Sequence, residues 1–362
     1  MKTKNLCLTA VLAAVCSLAT AQNEWYKNVK LGGYVISEYK YATQEDLTPK
    51  DNFSIRLVRL AIDGKINNDF NYRVQAQLNG TPGSTSGPRI VDAFVEWQKF
   101  GYAKIKVGQF KRAFSFENPM HPIDQGFISY AQAISKLAGF SDRVGEQASN
   151  GRDIGIQLQG DLLKAADGHN WLHYQVGIYN GQGTNSNDVN NSKDLIGGLW
   201  IVPTEGLRIG AFGWNGSYAR KGTVDGQSKV VSVNRNRYAI SGEYKKDDWT
   251  LRSEYIHSQG AAFSSSSASD ISIKGNGDKA DGWYAALIAP IEKNVCHVKA
   301  RYDVYRDRAD WSSSKNQYEL GVDYIFLKKV KAQVNYVWVN DRTEAQGKQN
   351  YHMIDCQVSV RF

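Results

Sequence analysis

Apolar and polar residues alternate along most of this chain, segment after segment. At the C-terminus, Ile354, Cys356, Val358, Val360 and Phe362 form one face, while Asp355, Gln357, Ser359 and Arg361 form the other. A period of two marks a strand that meets different surroundings on its two faces. The same rhythm predicts strands near 30–42, 52–64, 67–79, 88–98, 102–109, 152–160, 170–180, 193–203, 206–219, 234–246, 248–258, 279–290, 294–306, 316–327, 330–340 and 349–362, sixteen in all. Their connections alternate in length. Lys65 to Asn67, Lys99 to Gly101, Pro203 to Gly206, Lys246 to Asp248, Pro290 to Asn294 and Lys328 to Lys329 are tight, and Gly160 to Asn170 is the longest of that set. Gly80 to Gly87, Gly181 to Ser192, Arg220 to Asn234, Ser258 to Lys279 and Asp307 to Ser314 are longer and rich in Gly, Ser, Asn and Asp. An even number of strands, with short turns at one rim and long loops at the other, is the layout of a transmembrane β-barrel.

Parity then assigns faces. Tyr318, Leu320, Val322, Tyr324 and Phe326 point outward against Glu319, Gly321 and Asp323, and Val330, Ala332, Val334, Tyr336 and Trp338 point outward against Lys331, Gln333 and Asn335. Aromatic residues gather at strand ends, at Tyr26, Trp97, Trp171, Trp249, Trp283, Trp338 and Tyr351, as interfacial girdles require. One strand breaks the alternation: Ile55 and Leu57 share a face and Val58, Leu60 and Ile62 take the other, so a bulge is expected near Leu57. A barrel of this strand number cannot fill its own interior, and an aqueous channel follows.

The connection spanning 110–151 is far longer than an ordinary loop. Within it Phe127, Ala131, Ile134, Leu137 and Ala138 recur at helical spacing, with Gly139 placed to end the helix. The expected fold is therefore all-β, a sixteen-stranded antiparallel barrel with short periplasmic turns and long extracellular loops; by its resemblance to loops at this position in general porins, the long third loop is expected to constrict the lumen, with an extracellular lid as the alternative.

The N-terminus carries the marks of a secretory signal: Lys2 and Lys4, an apolar run from Leu6 to Leu18, and the small-x-small site Ala19-Thr20-Ala21. This predicts a signal peptide at 1–21 and a barrel at 22–362. Its removal lowers the formal charge from +8 to about +6. No later run approaches the roughly twenty apolar residues of a spanning helix. The 42% hydrophobic content and mean hydropathy of −0.47 fit a wet-lumened barrel as well as an exported soluble protein, because only alternate strand residues meet lipid. Cys296 and Cys356 sit among outward-facing residues of separate strands and are read as small hydrophobes, not as a disulfide.

Candidate chemistry is mainly electrostatic. By parity Lys104, Lys106, Arg208, Arg237, Arg252, Lys299, Arg301 and Lys331 project into the lumen, and Lys111, Arg112, Lys136, Arg143 and Arg152 lie in or beside the long loop. Basic groups around a narrow pore lower the barrier to anions, arginine by paired hydrogen bonds and lysine as a point charge. Asp92, Glu96, Asp153, Glu243, Glu254, Asp303, Glu319, Asp323 and Asp355 share that inward face, so cross-strand pairing competes with solute selection. Glu117, His121 and Asp124 are hard or borderline metal ligands but are read as a solvated turn. No G-x-S-x-G, H-E-x-x-H or P-loop pattern occurs, and the basic residues are dispersed among acids without a nucleic-acid motif. Neither cofactor, metal nor nucleic acid is expected.

The terminal strand resembles the assembly signal of bacterial outer-membrane barrels, in which a final Phe is read by the insertion machinery; Phe362 stands at that position. A second resemblance is carried by Val107-Gly108-Gln109-Phe110-Lys111, Phe114-Ser115-Phe116-Glu117, Gly151-Arg152-Asp153-Ile154-Gly155 and Tyr174-Gln175-Val176-Gly177-Ile178-Tyr179-Asn180-Gly181. These segments are similar to the phosphate-selective porin O and P family. The resemblance implies a homotrimeric outer-membrane barrel with basic residues along an anion path, passing small anionic or polar solutes and surrounded by outer-membrane lipid. Phosphate-specific relatives carry adjacent arginines early on the second strand, whereas Arg56 and Arg59 here are separated by Leu57 and Val58. The expectation is a weakly anion-selective general porin, with Arg56, Arg59, Lys104, Lys106, Lys111, Arg112, Arg143, Arg152, Arg237, Arg252, Lys299 and Arg301 along the path. The competing readings are a barrel with a surface hydrolase role and one for glycan capture or adhesion.

Overall fold

A computed structural model describes residues 28–362 except 45, 48–49, 81–86, 147, 225, 265–270 and 275–278. The predicted signal peptide and Tyr26 lie outside the described residues. The strands are β1 (Val29–Ala42), β2 (Asp51–Lys65), β3 (Phe70–Gln77), β4 (Arg89–Phe100), β5 (Ala103–Lys111), β6 (Arg152–Lys164), β7 (Asn170–Tyr179), β8 (Asp194–Thr204), β9 (Leu207–Asn215), β10 (Ser217–Val224), β11 (Gln227–Asn234), β12 (Asn236–Lys246), β13 (Trp249–Gln259), β14 (Ala262–Phe263), β15 (Ile273–Lys274), β16 (Lys279–Glu292), β17 (Cys296–Arg306), β18 (Ser314–Phe326), β19 (Val330–Asp341) and β20 (Asn350–Arg361). Sixteen of them, all but β10, β11, β14 and β15, form a closed antiparallel barrel. Every neighbour in the barrel follows its predecessor along the chain, and β1 pairs with β20 to close the ring.

Closure explains the sharp alternation. With no free edge, each barrel strand has a paired neighbour on both sides, so the strands differ mainly in what their two faces meet. Leu320, Val322, Tyr324 and Phe326 are exposed on the outside, while Glu319 and Asp323 between them are buried. On the outer face Trp283, Tyr302, Tyr318 and Trp338 form a ladder across four adjacent strands, with ring centroids 5.0, 4.8 and 5.0 Å apart. Trp97, Phe100 and Tyr102 cluster at the opposite, short-turn end. Cys296 and Cys356 are free thiols on separate strands.

The short turns use left-handed backbone, as tight hairpins demand: Asp247 and Asp248 both have positive φ, the signature of a two-residue hairpin turn. The turn after β6 is shorter than the sequence suggests, because the strand runs on to Lys164. At the other rim the segment predicted as one strand from 206 to 219 ends at Asn215. A new hairpin, β10 with β11, replaces the irregular loop expected between Arg220 and Asn234. It folds because Tyr218, Val233, Val224 and Val231 have an apolar cluster to join, made with Phe263 and Ile271 around Val144 of the third loop. The β14–β15 hairpin supplies Phe263, whose amide donates to the Val144 carbonyl at 3.2 Å. These outer hairpins therefore cap the third loop from the long-loop side.

The third loop spans 112–151, two residues shorter than predicted because β5 continues through Lys111. It turns inward, not over the mouth. Its helix, α1 (Gln132–Leu137), is one turn and a half and buries Ala133, Ile134 and Leu137 against β13, β16 and β17. Gly139 ends it with φ +92; a Cβ there would stand 2.1 Å from an Arg112 Nη atom. At Gly151, φ +72 and an Asn118 carbonyl oxygen 1.8 Å from any Cβ likewise require glycine.

Candidate functional site: the constriction

The loop is seated on one side of the lumen by a single large apolar cluster. Phe114, Phe116, Phe127, Ala131, Ile134 and Leu137 pack against Phe212, Trp214, Ala239, Ile256 and Tyr284 of the wall. Loops elsewhere avoid burial because their backbone needs partners; here the barrel's charged side chains supply them. Glu254 accepts from the Phe116 and Glu117 amides at 2.7 and 2.8 Å and from the Tyr284 hydroxyl at 2.8 Å. Asp303 accepts from the Gln132 amide at 2.9 Å. Arg301 donates to the Ser129 carbonyl at 2.9 Å, Arg252 to that of Gln125 at 3.2 Å, Lys331 to that of Ile123 at 3.3 Å, and Lys299 to that of Gly126.

The foot of the loop holds a fully buried ion network. Arg112 bridges Glu146 and Asp153 at 2.8 Å each, and Arg235 joins Glu146 to Asp194, the latter at 2.7 Å. Next to it Arg237 grips Asp142 with two bonds of 2.7 Å and donates to the Leu137 carbonyl at 2.7 Å. The guanidinium carbons of Arg112, Arg235 and Arg237 lie 4.9, 4.5 and 4.8 Å from the ring of Trp214. Burial opposes ionisation of Asp142, but contact with Arg237 overrides it and holds its carboxyl down at about 2. Burial, then the charges of Arg152 and Arg73, push the His121 imidazole down to about 4, keeping it neutral.

The open space lies on the other side, between the loop and strands β1 to β4. A cavity of about 410 Å³ is lined by Lys40, Arg56, Arg59, Arg89, Glu38, Leu57 and Gln77 from the barrel, and by Pro122, Ser129, Tyr130, Phe140 and Asn150 from the loop. The bulge in β2 is what places two of these arginines together. Ile36 pairs with Leu57 and Ser37 with Ile55, so Arg56 is the extra residue. Plain alternation would send residues three apart to opposite faces; the bulge turns Arg56 and Arg59 into the same lumen. A second register shift, between Gln75 and Ala76, leaves Val91 of β4 as the extra residue, two positions after Arg89.

Partners distinguish these cations. Arg59 is 1% exposed, yet among the described residues it bonds only neutral groups, the Tyr34 hydroxyl at 3.0 Å and Gln77 Oε1 at 3.3 Å. Arg89 donates to the Ala148 carbonyl at 3.0 Å. Arg56 reaches Gln357 Oε1 at 2.9 Å and the Ile128 carbonyl, with Glu38 at 3.8 Å; Lys40 lies 3.5 Å from the same Glu38. Asp355 pairs in register with Lys40. Lys111 Nζ makes no hydrogen bond among the described residues and sits 4.4 Å from the Phe140 ring centroid and 5.3 Å from that of Tyr130.

The other predicted path residues lie outside this cavity, and most are ion-paired; Lys106, Lys111, Arg112 and Arg152 line a second cavity of about 200 Å³ together with Arg73 and Asp92. Arg152 is paired with Asp92 at 2.6 Å, Lys106 with Glu96 at 3.3 Å, Lys104 with Asp161 at 2.8 Å, Arg252 with Glu243 at 2.6 Å and Arg301 with Glu319 at 2.6 Å; Lys299 contacts Asp323. Arg143 donates to the Gly260 carbonyl at 2.6 Å, and Lys136 is exposed on α1. Glu117, His121 and Asp124 are dispersed, with Asp124 bound to Arg361 and His121 3.2 Å from Arg73. Among the described residues no group of three metal ligands occurs. Sequence reasoning missed Lys40 and Arg89, which lie at strand ends where parity is weakest, and Tyr130 and Phe140, which lie in irregular backbone.

Comparison with known proteins agrees with this architecture. A family model described as phosphate-selective porin O and P matches residues 29–287. No curated protein matches the chain. Among solved structures it is similar to the outer membrane channel DcaP of Acinetobacter baumannii, at 13% identity and TM-score 0.63, covering 92% of this chain and 97% of that one. It is also similar to Salmonella typhi OmpF in complex with daunomycin, at 11% identity and TM-score 0.64, covering 92% and 98%. The trimer form of in-vitro folded OmpT of Vibrio cholerae gives 12% identity and TM-score 0.59, covering 92% and 99%.

Proposed function

The chain belongs to the phosphate-selective porin O and P family, and from that premise we propose that its outer-membrane channel is weakly anion-selective, with the selecting charges on β1, β2 and β4. As a porin it passes small solutes by passive diffusion, and family membership favours a channel over an enzyme. One observation carries the anion reading: among the described residues, the cavity beside the third loop is lined by Lys40, Arg56, Arg59 and Arg89 against the single carboxylate of Glu38. In a site of low dielectric such an excess lowers the energy of an anion and raises that of a cation. Arg59 contributes most, since its buried charge has only neutral partners.

Of the twelve residues expected along the path, Arg56 and Arg59 are the ones we retain as direct selectors. Lys104, Lys106, Arg152, Arg252, Lys299 and Arg301 act mainly as halves of ion pairs, and Arg112 and Arg237 as anchors of the loop. The proposed assembly is a homotrimer, in keeping with the trimer form of the similar OmpT. Insertion is proposed to use the final strand: Phe362 exchanges two backbone bonds of 3.1 Å with Gly33 beside the seam that β20 and β1 close. Signal cleavage after Ala21 precedes these steps.

The reversal potential of the purified protein in a planar bilayer under a potassium chloride gradient tests the selectivity. The expected sign is that of a modest anion preference. A cation-favouring potential would overturn the assignment.

A further inference from the structure

The cavity that holds the excess positive charge is not built for a bare oxyanion. Opposite the arginines, its loop side presents Tyr130 and Phe140, with ring centroids 4.4 Å apart, and Pro122; Leu57 adds apolar surface from the barrel. The Tyr130 hydroxyl is turned away to the Met120 carbonyl at 2.6 Å, so its offering to the cavity is ring. Aromatic faces carry negative charge density and gain nothing from a hydrated anion laid against them. They do gain from a flat apolar group. Lys111 lies against the same two rings and strengthens their hold on the wall.

We propose that this cavity is a subsite for organic anions with a flat apolar body, of which aromatic carboxylates are the simplest, the carboxylate meeting Arg59 and Arg89 while the ring lies against Tyr130 and Phe140. The inference rests on the anion-selective reading above and deepens it by naming a solute class. Two features argue for this class over inorganic phosphate. The volume of about 410 Å³ falls within the range of about 300–1,000 Å³ usual for small-molecule sites. The cations are gathered on the barrel side and the rings on the loop side, so a solute must be polar at one end and apolar at the other to satisfy both. Among the described residues Arg59 bonds only neutral groups, so its charge is left for a carboxylate in the cavity it lines.

Block of the chloride current through the full-length protein in a planar bilayer provides the test, with benzoate, acetate and inorganic phosphate as probes. Ring contact is worth roughly 0.5–1.5 kcal/mol, so benzoate should block at concentrations about three- to tenfold lower than acetate. Phosphate should block no better than acetate. Tyr130→Ala and, separately, Phe140→Leu, which keeps bulk in the loop, should each bring the benzoate-to-acetate ratio toward one. Equal block by benzoate and acetate in the unmodified channel, stronger block by phosphate, or a benzoate advantage that survives in both variants would overturn the proposal. The unmodified channel's reversal potential separates the two levels. Anion preference without a benzoate advantage removes only the solute class, whereas cation preference removes the reading beneath it.

Discussion

The two walls that face the third loop carry the same residue types and use them in opposite ways. On β12, β13, β17 and β18, arginines and lysines are matched to carboxylates: Arg252 to Glu243, Arg301 to Glu319, Lys299 to Asp323, with Arg237 matched to Asp142 of the loop itself. On β1, β2 and β4, Lys40, Arg56, Arg59 and Arg89 share one lining carboxylate, Glu38. The first wall is a seat, where charge satisfies a buried backbone. The second is a field, where charge is left for a passing solute. A count of inward-facing basic residues therefore overstates the anion path, because most have been spent on fixing the loop's position.

The largest effect should come from the seat. Arg112→Ala leaves Glu146 and Asp153 buried beside an incomplete network, a loss expected to cost about 3–5 kcal/mol. The variant should unfold at lower temperature, seen as earlier loss of the compact band on unheated gels, and any folded channel should conduct more as the loop leaves the lumen. Unchanged melting and conductance would put the anchor elsewhere.

Acid should loosen the third loop in two stages, first where His121 meets Arg73 of β3 and then at Asp142. His121 has its folded pKa depressed from 6.5 to about 4, so its contribution is fully present above pH 6.5 and is lost as pH falls toward 4. Asp142, depressed from 3.8 to about 2, contributes above pH 3.8 and loses that contribution as pH falls through about 2. Hydrogen exchange of the 112–151 amides should accelerate first between pH 6.5 and 4. In His121→Gln that first stage should vanish; its persistence would show that another group governs it.

A smaller effect on stability and a larger one on selectivity should follow Arg59→Gln. The substitution removes a buried charge whose bonded partners among the described residues are neutral, so the compact band should keep its heat resistance while anion preference falls. Least of all should change in Lys104→Ala. Its pair with Asp161 is about 30% exposed on either side and worth under about 1 kcal/mol. A marked loss of selectivity there would move the path toward the short-turn end.

Much of the barrel was legible because one rule, alternation, governs every strand. All sixteen barrel strands appear where the pattern placed them, and the bulge near Leu57 is present at Arg56. The third loop's inward turn was legible from its unusual length and from its likeness to loops at this position in general porins, and the apolar residues of its helix find their cover on the wall. Less legible was anything set by shear or by loop packing. Which carboxylate meets which arginine depends on strand stagger, which no single segment encodes. The β10–β11 hairpin depends on Val144, Phe263 and Ile271, which lie far away in sequence. Arg89 escaped notice because it opens its strand and a register shift follows two residues on, and Tyr130 and Phe140 because irregular backbone has no period to read.

The account stands on selectivity residing in one wall, and a paired measurement of reversal potential tests it most directly. Arg59→Gln combined with Arg89→Gln empties much of the field, while Arg208→Gln removes a cation whose carboxylate, Glu243, remains paired with Arg252. Under the same salt gradient, the double variant should move most of the way to an unselective potential and Arg208→Gln should stay near that of the unmodified channel. Equal shifts in the two, or a shift only in Arg208→Gln, would contradict it.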